Sequence, residues 1–231
     1  MSTSRRVPAE KFAVAGPEPA HECSLCPRLA EFRADNAAAH ADWFNGPAPS
    51  FGDAAGELLI VGLAPGLNGA NRTGRPFTGD FAGELLYATL LKFGFARGVY
   101  QARPDDGLKL INAMISNAVR CVPPQNKPSG AEIATCRRFL TARIDALPRL
   151  RAIVCLGRIA HESTLAALGA GKSAYRFAHA ARHERVRGGL ALFDSYHCSR
   201  YNTNTGRLTP EMFEDVFRDV STFLGAAAKV A

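Results

Sequence analysis

The chain has 231 residues, enough for one sizeable core or at most two small domains. Its 28 basic against 21 acidic residues leave a net charge of +7 and a pI near 9.3, a surplus that suits a polyanionic partner such as nucleic acid. The N-terminal MSTSRRVPAEKFAVAGPEP lacks the apolar core of a secretory signal, and no run approaches the ~18 apolar residues of a membrane helix. A cytoplasmic, monomeric protein with no membrane partner is therefore expected. In that compartment six cysteines read as buried thiols or metal ligands rather than disulfides.

The chain begins with a helical extension, expected over about residues 1–45, that wraps on a single domain. It contains a C-x2-C pair, Cys23 and Cys26, opening into Pro27-Arg28-Leu29. The first strand signal is Leu58 to Val61. The loop GLAPGLNGANRTGRPFTGD follows, from Gly62 to Asp80, and leads into a helix-like run from Gly83 to Phe95. A glycine-rich strand-to-helix loop commonly cradles phosphate, yet this one fits neither GxGxxG nor GxxxxGK[ST]. It reads either as a structural Gly/Pro connection or as a backbone cradle that presents an exposed Phe77 to a flat heterocycle and ends in Asp80.

A second strand is expected over Leu108 to Val119, with Asn117 near its end and CVPPQNKPSG beyond. The paired prolines stiffen that loop, and Asn117 and Asn126 each offer a donor and an acceptor, fit for reading a base edge or for capping a turn. Ser129-Gly130-Ala131-Glu132 fits a capping box that opens a helix. Ala152 to Leu156 is a third strand, with Cys155 in its apolar run. Leu190 to Ser195 is a fourth, releasing HCSRYNTNTGRLT. There His197 is placed to donate to developing negative charge, or to serve structurally. The hydroxyls, amides and arginines behind it suit phosphate. Thr209-Pro210 starts the last helix. Strands alternating with helices predict a parallel sheet covered on both faces, and ligands of such sheets bind beyond the strands' carboxyl ends. Cys23, Cys26, Cys121 and Cys136, from separated segments, could hold zinc or an iron–sulfur cluster.

Taken together, the C-x2-C-P-R-L opening, GLAPGLNGANRTGRPFTGD, AVRCVPPQNKP and HCSRYNTNTGRLT resemble the uracil-DNA glycosylase superfamily. Within it they are similar to the iron–sulfur families 4 and 5, and more to family 5, the B type. The resemblance implies an α/β fold, a three-layer α/β/α sandwich on a four-stranded parallel sheet. It implies a [4Fe-4S] cluster on Cys23, Cys26, Cys121 and Cys136. It also implies hydrolysis of the N-glycosidic bond of uracil, and of other deaminated or modified bases such as hypoxanthine, in DNA, leaving an abasic site. Gly62, Ala64, Pro65 and Gly66 would then floor a flipped-out base, with Phe77 as its stacking face and Asn117 near its edge. Family 4 carries an acidic residue where Ala64 stands; the alanine fits family 5 and leaves water positioning to Asp80. Asn126 matches the position that approaches the base, and His197 the histidine of the second motif. Ser199, Arg200, Tyr201 and Arg207 would contact DNA. Cys198 departs from the usual His-Pro-Ser or His-Val-Ser. Two rival readings remain at this level. A redox sensor would use the cluster alone, and a non-catalytic damaged-DNA binder would keep Phe77 and Asn126 without needing Asp80.

Overall fold

The computed structural model describes residues 16–225; the first part of the expected N-terminal extension lies outside them. Eight strands occur among these residues: β1 (Phe51–Gly52), β2 (Leu58–Gly62), β3 (Ala96–Arg97), β4 (Lys109–Leu110), β5 (Ala113–Asn117), β6 (Ala152–Leu156), β7 (Arg182–Arg187) and β8 (Leu190–Ser195). The α-helices are α1 (Pro27–Ala39), α2 (Phe81–Lys92), α3 (Gly130–Asp145), α4 (Arg158–Ala167), α5 (Arg200–Asn204) and α6 (Pro210–Leu224).

The main sheet runs β1-β5-β2-β6-β8-β7, with β5, β2, β6 and β8 parallel and the two edges antiparallel. The four parallel strands are those expected, but the sheet has six strands rather than four. β7 reads RHERVR, a polar and largely exposed edge without alternation; its only sequence signal is the Gly188-Gly189 turn into β8. The strand expected over Leu108 to Val119 is also divided. Asn112 adopts a left-handed φ of 53°, so Lys109–Leu110 pairs with Ala96–Arg97 in a separate ribbon and only Ala113–Asn117 joins the sheet.

Every residue of β2, β5, β6 and β8 is buried, as parallel strands covered on both faces require. Alternation divides their side chains. Leu58 and Ile60 face α2 and α6 with Leu86, Leu90, Phe213 and Phe217, while Leu59 and Val61 face α3 and α4 with Leu140, Ile144 and Leu165. α6 buries Phe213, Val216, Phe217, Val220 and Leu224 along one stripe; Thr209 caps its start and Gly225, left-handed at φ 71°, ends it. The capping box of α3 forms, and its Glu132 also takes two hydrogen bonds from Arg28 (2.8 and 2.7 Å), fastening α1 to α3.

One buried polar knot joins α4, β7 and β8. Asp194 accepts from His161 Nδ1 (2.7 Å) and His183 Nε2 (3.2 Å), and His161 Nε2 donates to the Tyr175 carbonyl (3.0 Å). Both of its ring nitrogens face acceptors, and the neighbouring carboxylate holds the pKa of His161 above the usual value despite burial.

Candidate active site

The loops leaving β2, β5 and β8 at their carboxyl ends close a cleft of about 480 Å³. Ala64, Pro65, Gly66, Phe77 and Asp80 line it from the first loop, Asn117 and Asn126 from the second, and His197, Ser199, Arg200 and Tyr201 from the third. Leu63, Phe81, Ala82 and Asn202 complete the wall. None of these four was singled out from sequence, although Phe81 directly follows Asp80 and Asn202 lies inside HCSRYNTNTGRLT. Asn202 Nδ2 donates to the His197 carbonyl at 2.8 Å, so it holds the histidine's backbone. Arg207 is not at this cleft; it lies over the Tyr196 ring, 4.6 Å from its centroid, in the adjoining cavity.

The first loop is built on side-chain anchors. Its arginines do not face a phosphate-sized ligand: Arg75 is buried in a bidentate pair with Asp106 (2.7 Å each), and Arg72 donates to the Asn68 carbonyl. Tyr87 donates to the Pro76 carbonyl (2.7 Å) and Tyr100 to the Phe77 carbonyl (3.1 Å). These bonds hold Phe77 at a left-handed φ of 54°, a conformation that costs energy for an aromatic residue and is kept only where surroundings fix it. The ring expected to be exposed is 7% exposed, because its edge packs under Gly62: a Cβ there would stand 2.7 Å from Phe77 Cζ and would also strike Asn117 Oδ1. Gly62 therefore lies beneath the cleft floor rather than lining it. The wide turn Leu67–Asn71 breaks at Gly69, where a Cβ would collide with Asp80 Oδ2.

Asp80 is the N-cap of α2, its Oδ1 accepting from the Gly83 amide at 3.2 Å, while Oδ2 lies against Gly66 and Gly69. Burial raises its pKa above the carboxylate norm, and the α2 amides oppose that rise. His197, with its ring centroid 6.0 Å from that of Phe77, has its pKa pushed down to about 4 by burial, so it is a neutral imidazole at pH 7. Asn117 is 3% exposed, and its Oδ1 has no hydrogen-bond partner among the described residues. Asn126 is exposed and left-handed at φ 56° on the turn Pro124–Asn126, where the stiff Pro123-Pro124 pair presents it to the cleft.

Behind the floor, Cys23, Cys26, Cys121 and Cys136 line a second, apolar chamber with Leu29, Val119 and Phe139. Ala64 packs against this cluster and also lines the cleft. Burial is the main cause pushing the Cys121 thiol up to about 12 and Cys136 to about 11. The Arg120 amide donates to Cys136 Sγ (3.3 Å), and buried Arg33 ties the Cys23 segment through the His21 and Cys23 carbonyls. Cys155 is a core thiol, 3.4 Å from Thr164 Oγ1; Cys198 is buried against the Ala82 carbonyl and does not face the cleft.

The neutral histidine and the raised carboxylate carry a pH signature. A reaction that uses these two groups in their unprotonated forms should fall on the acid side, where His197, at about 4, and Asp80, raised by burial, take protons. A rate profile breaking near the ordinary histidine value of about 6.5 would contradict this placement of His197.

Residues 49–221 match the family model described as the uracil DNA glycosylase superfamily. The chain is 44% identical over 208 residues to the type-5 uracil-DNA glycosylase of Thermus thermophilus, covering 88% of this chain and 94% of that protein. It is 36% identical over 207 residues to the type-5 enzyme of Pyrobaculum aerophilum, covering 88% and 89%. A type-4 uracil-DNA glycosylase of that organism matches at 33% over 122 residues, 52% of this chain and 54% of the other. The chain belongs to the uracil-DNA glycosylase superfamily. Within it, the likeness over most of its length is to the type-5 branch.

Proposed function

We propose that this protein is a uracil-DNA glycosylase that extracts a uracil from DNA into the cleft and hydrolyses its N-glycosidic bond. The observation that carries the reading is the meeting, in one cleft, of a desolvated carboxylate (Asp80), a neutral imidazole (His197) and a buried amide whose oxygen has no partner among the described residues (Asn117). A base inside a duplex cannot reach them, so it is flipped out first, at a cost of a few kcal/mol that is lowest at mismatches. As the C1′–N bond breaks, its electron pair leaves on the base and the sugar becomes oxocarbenium-like. His197 and Asn126 donate to the anionic base, and Asp80 orients the water that adds to C1′ and receives its proton. The Asn117 amide offers an acceptor and a donor to an N–H/C=O edge. Uracil presents that edge, and so does hypoxanthine, which the cleft then also accepts. Release of each base from lesion-containing duplex and single-stranded oligonucleotides tests the proposal; no release of uracil from any of them defeats it.

Tyr201, 72% exposed at the cleft mouth, fills the gap left by the extracted base. Arg200 sits 5.2 Å over the Phe81 ring beside it and contacts phosphate. Tyr201→Ala is expected to slow excision most from U·A pairs and least from single strands, where no stack resists flipping. Equal losses on U·A, U·G and single-stranded substrates would place Tyr201 in the folding of its own loop instead.

The four-thiol chamber suits a [4Fe-4S] cluster. Its donors are soft, its wall is apolar, an amide donates to one sulfur, and buried thiols of such high pKa become thiolates only when a metal centre displaces their protons. Cys23 and Cys26 at the start of α1, Cys121 after β5 and Cys136 on α3 would hold the cluster, which would cross-link these segments; Ala64 packs against this group of residues and lines the cleft. The protein should purify yellow-brown with broad absorbance near roughly 400 nm and about four irons per chain. Stoichiometric zinc without iron, in anaerobically handled protein made with adequate iron, would refute the cluster.

A further inference from the structure

Three arginines are buried among the described residues: Arg33, Arg75 and Arg120. A guanidinium keeps its charge when buried, so each calls for an anion close by. Arg75 has Asp106, and Arg120 has Glu18. Arg33, on the second turn of α1 and 6% exposed, has no carboxylate partner among the described residues. Its two terminal nitrogens donate to the His21 carbonyl (2.8 Å) and the Cys23 carbonyl, while its buried Nε has no hydrogen-bond partner there. Carbonyl dipoles solvate that charge without neutralising it. What lies beside it is the four-thiol chamber. Arg33 grips the backbone of Cys23 directly, and its charge reaches two more of the cysteines. Burial raises the Cys26 and Cys121 thiols, and Arg33 opposes that rise at both. Glu132, the carboxylate felt by Cys26, is already held by Arg28. The start of α1 points the same way. Cys26 is its N-cap, with no side-chain cap and no acidic residue in the first turn, so the helix's positive end is left to the cysteine segment.

We propose that Arg33 is the counter-cation of the iron–sulfur cluster, offsetting the net negative charge that four thiolates bring into an apolar chamber. This role rests on the reading of that chamber as a cluster site. Four thiolates outweigh the positive charge of a four-iron core, so the ligated unit is an anion. A dry pocket penalises such an anion unless a cation stands close. Arg33 and the ligated unit therefore neutralise each other, where either alone would be a costly buried charge.

The test compares the parent, purified anaerobically, with Arg33→Lys, Arg33→Gln and Arg33→Met. Lysine keeps the charge and loses the fork, glutamine keeps a donor and loses the charge, and methionine loses both. Iron release is followed in excess chelator as loss of absorbance near roughly 400 nm. The proposal expects Arg33→Gln and Arg33→Met to release iron about tenfold faster, and Arg33→Lys to stay within about threefold of the parent. With the positive charge gone, reduction of the cluster at an electrode should also become harder. In Arg33→Met its one-electron equilibrium should shift about tenfold, or about 59 mV, toward the oxidised form. Equal acceleration in all three variants would make Arg33 a structural strut and overturn the proposal. Parental retention in all three, or a parental potential in Arg33→Met, would overturn it as well. An Arg33→Met protein too unstable to purify leaves the decision to the lysine and glutamine variants, which differ in charge. Zinc without iron in the parent would remove the cluster reading and the counter-cation together, whereas iron held without regard to charge would remove the counter-cation alone.

Discussion

Alanine at Asp80 should lower single-turnover release of uracil by about 10²-fold or more, and alanine at His197 by a similar factor. The two residues act at opposite ends of the bond that breaks. Asp80 serves the water and the cationic sugar, and His197 serves the departing anion. Because Asp80 also caps α2 through the Gly83 amide, Asp80→Ala carries a structural cost of about 1 kcal/mol from the lost cap. Asp80→Asn keeps a capping oxygen and removes the negative charge, so it separates the two contributions. If the charge matters, the asparagine variant should be as slow as the alanine variant while melting like the parent. Binding of abasic DNA should change far less than cleavage in all three variants. Near-parental cleavage by Asp80→Ala and His197→Ala together would mean that another pair of groups does the chemistry.

The second large effect lies one turn along α2. At Gly83 a Cβ would drive directly into the Phe77 carbonyl oxygen and the Tyr100 hydroxyl, both fixed by the bond between them. The colliding carbonyl is backbone, so no rotamer relieves the contact. Gly83→Ala should therefore destabilise the fold by about 1–3 kcal/mol in urea unfolding, the range for an overpacked core site. The variant should also lose most of its cleavage, since the Phe77 backbone can only move by taking the stacking ring with it. Tyr100→Phe is the milder partner. It deletes one hydrogen bond to that carbonyl, worth about 1 kcal/mol, and should keep measurable cleavage. A Gly83→Ala protein with parental stability and rate would show that the first loop is not fixed by this contact.

Much of the architecture was legible because its signals are local. The apolar runs at Leu58, Ala152 and Leu190, the Ser129–Glu132 box and Thr209-Pro210 each state their own conformation, and each appears in the fold. The division of Leu108–Val119 was not, because it rests on the left-handed backbone of Asn112, an option that asparagine permits but does not announce. β7 was silent because an exposed edge strand needs no hydrophobic alternation. At the cleft, motif spacing identified the residues that came together, yet it misplaced Phe77 as exposed. Burial of Phe77 depends on the missing side chain at Gly62, a contact that exists only after the strands have aligned.

The knot of His161, Asp194 and His183 has a consequence for descent. Each member sits on a different element, and Asp194 has no exposure at all. Losing His161 leaves the buried Asp194 with His183 alone, and losing Asp194 leaves both histidines without their shared acceptor, either of which should destabilise more than replacing the set with apolar side chains. The three positions are therefore expected to be inherited as one unit. Related sequences should carry all three or none, and a lineage that drops one should be found to have dropped the others with it.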